Sequence, residues 1–258
     1  MRSIWTGSIG FGLVNIPVKL YSAVAGSDLD LDMLDKKDHA HIKFKRVNEN
    51  TGKEVAWSNI VKAYDYNGKY VILGEEDFAK ASPEKTKNID IFQFFKLEEI
   101  DTVYFETPYY LEPEKSGVRA YALLREALKK SGMAALGSFV LRNKEHLAIL
   151  KTREDAIVLN TIRFEEEIRD TSDLKLPASS SAKANEIKMA MALIGDMTEA
   201  FDIKKYKDNY TAELLKLIKA KARGKTIKQP TMRVVHRQTD DLMGQLKASL
   251  SKKQKKAS

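Results

Sequence analysis

The stretch MRSIWTGSIGFGLVNIPVKLY, residues 1–21, carries the strongest indication of the fold. Residues 13–21 form an extended apolar run that is interrupted at Pro17. Because proline has no N–H to donate to a ladder, this run predicts a strand at a sheet edge or with a bulge. The glycines of residues 7–12, GSIGFG, lack the spacing of either common phosphate loop, and no Lys-Ser or Lys-Thr follows them. We therefore predict that they belong to a twisted or bulged strand.

Further strands are predicted in the amino-terminal part of the chain. Residues 41–45, HIKFK, alternate strictly, with Ile42 and Phe44 on one face and the His and Lys side chains on the other. This alternation predicts a half-buried strand with a cationic solvent face. The apolar, β-branched and aromatic stretches 70–73 and 89–95 predict buried strands.

Helical spacing becomes convincing at residues 118–130, where apolar side chains recur on one face and Gly132 is a suitable stop. Strands resume after this helix, at 139–141, 147–150 and 157–164. Many short strands without regular alternation of strands and helices favour a barrel or a sandwich over a doubly wound sheet.

The pattern changes after residues 177–181, PASSS, which form the best linker in the chain. Residues 187–201 repeat apolar side chains at i, i+3, i+4 and i+7, which predicts an amphipathic helix. A second helix is predicted at 208–223, and a short third one at 239–250. The layout is an α+β chain with a strand-rich body, a helical arm and a basic tail.

The composition limits the chemistry. The chain of 258 residues contains no cysteine, which excludes disulfides, thiol catalysis and cysteine-bound zinc. No apolar stretch reaches about 18 residues, and the amino terminus lacks the long apolar segment of a secretory signal. We therefore expect a cytoplasmic protein without a membrane span.

The formal net charge of +8 is distributed unevenly. The carboxy-terminal segment 219–258 holds 12 of the 44 Lys and Arg side chains but only two carboxylates, at Asp240 and Asp241. The segment 1–218 holds the other 32 basic side chains and 34 acidic ones, which leaves it slightly negative. If the folded body binds a polyanion, its basic side chains must therefore be grouped on one surface, away from the acidic ones. The tail is a polycation that can bind phosphates loosely.

No motif supports catalysis. His39 and His41 flank one residue but have no evident third metal ligand, and the run Glu165–Glu167 is expected at the surface. A serine-nucleophile elbow is absent from the sequence. We predict a protein that is not an enzyme and has no metal or cofactor.

Basic residues placed among the predicted strands are the most informative feature. If several share one concave surface, they would hold a phosphate backbone without reading its sequence. They are Lys19, Lys43, Lys45, Arg46, Lys62, Lys96, Arg142, Lys144, Lys151 and Arg153.

The opening residues 1–21 closely resemble the start of bacterial Ku proteins. The resemblance continues in the same order through the segments IVKAY at 60–64, YVIL at 70–73, YLEP at 110–113, AYALLR at 120–125 and LRNK at 141–144. It covers the chain to about residue 224.

The resemblance implies a β-barrel with a helical arm that pairs as a homodimeric ring around the ends of broken double-stranded DNA. It also implies a role in non-homologous end joining, no enzymatic activity, and recruitment of the ATP-dependent DNA ligase D. The expected organisation is a barrel core at 1–176, a helical arm at 182–224 and a basic carboxy-terminal region at 225–258.

Matching positions of the family suggest Lys19, Lys96 and Arg142 as DNA contacts, with Arg2 as a weaker candidate. Strand alternation adds Lys43, Lys45 and Arg46, and Lys144 follows Arg142 in the motif LRNK. In the third helix, we hypothesise that Leu242, Met243 and Leu246 dock on the ligase.

The chain departs from many bacterial members at 48–51, where NENT replaces C-x-x-C, and its lysine-rich tail is short. An alternative function therefore stays open: a general basic nucleic-acid-binding protein whose affinity resides in the tail. An enzyme acting on DNA ends is the other alternative, and it would need acidic metal ligands or a nucleotide-binding lysine motif.

Overall fold

The structure is a computed structural model that describes residues 1–26, 29–81, 87–178, 183–225, 243–246 and 249. The chain divides into two compact units. The first comprises Met1–Gly26 and Leu31–Arg169, and the second comprises Ser27–Asp30 and Asp170–Ser258.

The first unit is built on a closed seven-stranded barrel, which confirms the predicted fold class. The strands of this unit are β1 (Trp5–Phe11), β2 (Val14–Ser22), β3 (Lys62–Tyr66), β4 (Lys69–Leu73), β5 (Asn88–Lys96), β6 (Phe105–Pro113), β7 (Met133–Leu141), β8 (Lys144–Arg153) and β9 (Ala156–Ile162). Around the barrel the order is β1-β2-β6-β9-β8-β7-β5, while β3 and β4 form a separate two-stranded ribbon. The helices of this unit are α1 (Glu75–Ala81) and α2 (Val118–Ser131).

Glycines allow the barrel to close where β1 meets β5, the parallel pair among the described barrel strands. This pairing runs only from Ser8 opposite Asn88 to Gly10 opposite Asp90. A Cβ atom on Gly10 would lie 2.6 Å from the side-chain nitrogen of Asn88. On the other side of β5, a Cβ atom on Gly137 would lie 2.5 Å from the carbonyl oxygen of Asp90. Gly7 and Gly10 therefore belong to a strand, as predicted, and Gly10 is closely approached, while Gly12 lies in the turn to β2 with a φ of 58°.

Pro17 occupies a local edge of the sheet. It pairs with Ser8 of β1, but pairing between β2 and β6 begins only at Val18. Its missing N–H therefore removes no bond from the second ladder, which agrees with the predicted edge position.

The core lies inside the barrel and under α2. Ile9, Leu20 and Leu159 are completely buried there, and each such side chain contributes about 1.5–3 kcal/mol. Tyr121 and Leu124 of α2 pack onto the same cluster. The helix ends at Gly132, whose φ of 67° is left-handed, so the predicted helix and its stop are both confirmed.

A second cluster covers the outer face of the barrel. Residues 97–104 connect β5 to β6, and Ile100 and Tyr104 of this connection pack on the cluster together with Phe105, the first residue of β6. They cover Ala134 and Ile149, which point out of the barrel and would otherwise meet solvent.

The long connection between β2 and β5, residues 23–87, corrects the prediction of a half-buried strand at residues 41–45. Residues 41–45 form no strand, and Ile42 and Phe44 are 45% and 80% exposed. Among the described residues of this connection, single bridges join Leu34 to His41 and Val47 to Glu54. Apolar and basic side chains do alternate in this segment, but in the described part of the chain no neighbouring strand or apolar surface covers the apolar ones.

Two predicted buried strands form but are only partly buried. Strand β4 contains residues 70–73, yet every residue except Leu73 is exposed, because the β3–β4 ribbon lies outside the barrel. Strand β5 buries Ile89 but leaves Phe92 59% and Phe94 42% exposed.

The second unit contains the helices α3 (Ala184–Met197) and α4 (Asn209–Ala222). Helix α3 ends at Met197, short of the predicted end at Phe201. Helix α4 is capped by Asp208, whose side chain accepts a 3.0 Å hydrogen bond from the Thr211 amide. Residues 243–246 are helical, while Leu242 of the hypothesised docking helix lies outside the described residues.

Candidate nucleic-acid interface

The hairpin between β7 and β8 presents cations at its tip. Its two turn residues, Arg142 and Asn143, both have positive φ, at 53° and 68°. Such a turn matches the twist of a hairpin, and Asn and Gly are the residues that adopt it readily. An arginine there stores about 1 kcal/mol of backbone strain, so folding alone does not explain it. The presence of an arginine at this turn is explained if its guanidinium has a function at the tip.

A cleft of about 820 Å³ separates this tip from α1. Lys62 of β3 lines it together with Arg142, and the ammonium of Lys62 lies 5.1 Å from the ring centroid of Phe78. Glu75 and Glu76 also line the cleft, so its charge is mixed. The register explains the proximity, because Asp90 pairs with Ser138 and the tip therefore lies beside the point where the chain re-enters the barrel.

Two other groups lie near Lys144 at the tip, the carboxylate of Glu167 and the imidazole of His146. Lys144 lies 3.7 Å from Glu167, an exposed ion pair that contributes less than about 1 kcal/mol and leaves the ammonium available. Burial, followed by the positive charge of Lys144, lowers the pKa of His146, although Glu106 and Glu167 act in the opposite direction. The imidazole is therefore held neutral near pH 7, and it adds no charge to the tip.

Three further candidates lie on the long connection between β2 and β5. Lys45 makes a 2.6 Å ion pair with Glu54, and the Arg46 guanidinium lies 4.5 Å from the ring centroid of Trp57. Lys43 is exposed beside them. All three cations are accessible, but they lie on the connecting segment and not on the barrel.

The other candidates are dispersed. Arg2 is exposed just before β1, and Lys19 on β2 lies 4.0 Å from Glu114. Lys96 ends β5 opposite Met133, about 26 Å along the strands from the Arg142 end. The structure thus brings Arg142, Lys144 and Lys62 to one end of the barrel and places Lys96 at the other.

The pairing of β3 with β4 in a hairpin was not among the predictions from the sequence. Asn67 and Gly68, with φ of 53° and 80°, form the turn that pairs β3 with β4. An Asn-Gly pair between two β-prone runs is a strong hairpin signal. It would have paired Tyr64 with Val71 and Tyr66 with Lys69 on one face of the ribbon.

In the described part of the chain, no three His, Asp or Glu side chains are close enough together to hold a metal ion. Among the same residues, no helix is both long and apolar enough to span a membrane.

A closed barrel with a cationic hairpin tip and a long exposed connection defines a β-barrel protein that presents basic side chains at its surface. The model of the Ku70/Ku80 beta-barrel domain matches residues 10–191, and the chain belongs to the Ku family. This confirms the resemblance inferred from the opening residues.

Relatives from several bacteria carry the name Non-homologous end joining protein Ku. The protein of Cupriavidus necator is 46% identical over 226 residues, which is 85% of this chain and 67% of the relative. That of Coxiella burnetii is 40% identical over 262 residues, covering 98% of this chain and 96% of the relative. That of Bacillus subtilis is 38% identical over 256 residues, covering 98% and 82%.

Proposed function

We propose that the protein binds the ends of double-stranded DNA without sequence preference, as a homodimeric ring, in non-homologous end joining. In this role it protects the ends and recruits an ATP-dependent DNA ligase of the ligase D type, acts in the cytoplasm on the nucleoid, and performs no chemistry of its own. The observation that carries the proposal is Arg142, a cation held at a hairpin tip against its backbone preference. Membership of the Ku family supports it.

The charge distribution favours a threaded ring over simple attraction. The segment 1–218 is slightly negative, so long-range attraction to DNA is weak. A ring needs cations only on its inner surface, and it remains on the DNA because dissociation requires sliding back over the end. Each phosphate contact should steepen the slope of log affinity against log salt concentration by about 0.9.

Exposed apolar side chains support self-association. Between residues 31 and 61, nearly every side chain is exposed, including Phe44 at 80% and Trp57 at 70%. On α3, Met191 and Ile194 are 66% and 65% exposed. Surfaces of this kind mark contacts with another chain. A second copy, which brings the same surfaces, is the partner that we propose.

The ligase contact is proposed for the carboxy-terminal region. Met243 and Leu246 lie in the helical residues 243–246 and are both half-buried. Together with Leu242 they would present an apolar face to the ligase. A Met243→Glu, Leu246→Glu double variant should bind DNA ends normally and fail to retain the ligase in a pull-down. If ligase retention is unchanged, the docking site lies elsewhere.

The test of the function compares one DNA sequence as a linear duplex and as a covalently closed circle, with excess closed circle as competitor. We expect a stable complex on the linear form and none on the circle. Equal binding to both forms would contradict the ring. A duplex blocked at both ends after loading should retain the protein in high salt.

The alternative, a general basic nucleic-acid-binding protein, rests on the excess charge of the segment 219–258. Removing residues 247–258 separates the two functions. Under our proposal, end-dependent binding mostly survives this truncation, because the contacts lie on the barrel and its long connection. Under the alternative, binding collapses.

A further inference from the structure

The β3–β4 ribbon has two chemically different faces. Residues directly opposite each other in an antiparallel pair lie on the same face. Lys62 pairs with Leu73, Tyr64 with Val71 and Tyr66 with Lys69, and these six therefore share one face, which we call the tyrosine–lysine face. The opposite face carries Ala63, Asp65, Tyr70 and Ile72, so it has one carboxylate and no lysine.

The tyrosine–lysine face is open. Tyr64 and Tyr66 are 65% and 64% exposed, and Lys69 beside them is exposed as well. A two-stranded ribbon with both faces in water is only marginally stable alone. Contacts outside the chain are therefore expected on this ribbon.

The chemistry of this face fits nucleic acid better than protein. Its six residues include two lysines and no carboxylate, and its two tyrosine rings lie two residues apart on one strand. That spacing is roughly 7 Å, so each ring can receive one planar base while the lysines meet phosphates. Sheets that bind single-stranded nucleic acid use aromatic side chains in this way.

The position of the ribbon supports the same partner. Lys62 lies on this face and also lines the cleft that contains Arg142. The carboxylates of the cleft, Glu75 and Glu76, belong to α1, which follows directly after Leu73 and Gly74. The tyrosines and Lys69 lie toward the turn end of the ribbon, away from that helix in register.

We propose that Tyr64 and Tyr66 stack on unpaired bases of a single-stranded overhang at a DNA end. This inference rests on the proposed end-binding function. Bases within a duplex already stack on each other, so rings at a protein surface gain most from bases that have no partner strand. The face would thus distinguish ends with overhangs from blunt ends, although the ring holds both.

The experiment measures the affinity of the full chain for three duplexes that are identical apart from a blunt end, a 3′ overhang or a 5′ overhang. A 2-aminopurine base in the overhang reports stacking through its fluorescence. The wild-type protein should quench the overhang probe and bind at least one overhang several-fold more tightly than the blunt end. The Tyr64→Leu, Tyr66→Leu double variant should lose this several-fold advantage and bind the overhang as it binds the blunt end, whose affinity should not change.

Two control variants sharpen the test. Tyr64→Phe, Tyr66→Phe retains the rings and should behave as wild type. Tyr70→Leu changes a tyrosine of similar exposure on the opposite face, and it should leave the overhang preference intact. Sedimentation of each variant reports the oligomeric state.

Each outcome has one meaning. Wild-type protein that binds no linear duplex contradicts the proposed function itself. Normal duplex binding with equal affinity for all three ends, or an overhang preference that the leucine variant retains, overturns the stacking proposal alone. If the leucine variant sediments as a smaller species, the face is a contact between copies, and the stacking proposal is likewise wrong.

Discussion

The phenolic oxygen of Tyr121 accepts a 2.7 Å hydrogen bond from the backbone amide of Ile157. The same hydroxyl donates a 2.7 Å bond to the carbonyl of Leu111. Leu111 and Ile157 are the last pair of the β6–β9 ladder, so the side chain from α2 continues the ladder by one step. Burial raises the pKa of Tyr121, and the hydroxyl therefore remains protonated at neutral pH.

We expect the Tyr121→Phe variant to lower the free energy of unfolding of the barrel by about 1–3 kcal/mol, because a buried amide and a buried carbonyl lose their partner. Denaturant titration followed by tryptophan fluorescence measures the change. Tyr70→Phe, at an exposed position, is the matched control and should have almost no effect. An unchanged midpoint for Tyr121→Phe would mean that water replaces the hydroxyl.

The barrel closure makes a second prediction. A methyl group at Gly137 would meet the carbonyl of Asp90 at 2.5 Å, and backbone cannot move away easily within a ladder. The Gly137→Ala variant should therefore lose about 1–3 kcal/mol of stability. Gly195 in α3 has open space around it, and Gly195→Ala should gain about 0.5–1 kcal/mol from helix propensity. Thermal unfolding of the two variants checks both signs, and a Gly137→Ala variant as stable as wild type would refute the close approach.

The lowered pKa of His146 predicts that the free energy of unfolding depends on pH. Its pKa is lowered in the folded protein, chiefly by burial, so the unfolded chain binds a proton more readily. The stability that this group contributes is present above its unfolded pKa near 6.5 and is lost as the pH falls through the lower, folded value. As the pH falls from about 8 to about 5, the free energy of unfolding of wild type should decrease relative to that of His146→Gln. Parallel pH profiles for the two proteins would contradict the assignment.

The barrel and its helix could be predicted because their signals are local. In β9, Ile157 and Leu159 face the barrel interior, and the stretch from Val118 to Gly132 carries both a helical stripe and a stop. The closing pair of Ser8 and Asn88 could not be predicted in the same way. It joins residues that are far apart in the sequence, and its register depends on glycines whose close contacts lie on other strands.

The sequence predicted which types of residue form the candidate site, but not which of them lie close together. Alternation at 41–45 indicated a buried face, yet Phe44 is exposed because nothing in the described part of the chain covers it. The basic residues were evident, but the sequence did not separate Arg142 from Lys96, which lie at opposite ends of the same strand pair. Only the barrel register decides which cations share an end.

Arg142 links the fold to the proposed function through opposite effects on stability and binding. Asparagine adopts a left-handed backbone more readily than arginine, so Arg142→Asn should raise the free energy of unfolding by about 1 kcal/mol. The same change removes a cation from the tip. Affinity for linear DNA should fall, and the slope of log affinity against log salt should decrease by about 0.9 for each subunit.

Two further variants isolate these contributions. Arg142→Lys keeps both the charge and the strained backbone, so its stability and salt slope should match those of wild type. Lys96→Gln removes a cation about 26 Å along the strands, and it tests whether the far end also contacts phosphate. A salt slope that changes for Lys96→Gln and not for Arg142→Asn would move the DNA-binding surface to the opposite end of the barrel. A decrease for Arg142→Asn together with a more stable fold would show that the strain at the tip is retained for binding.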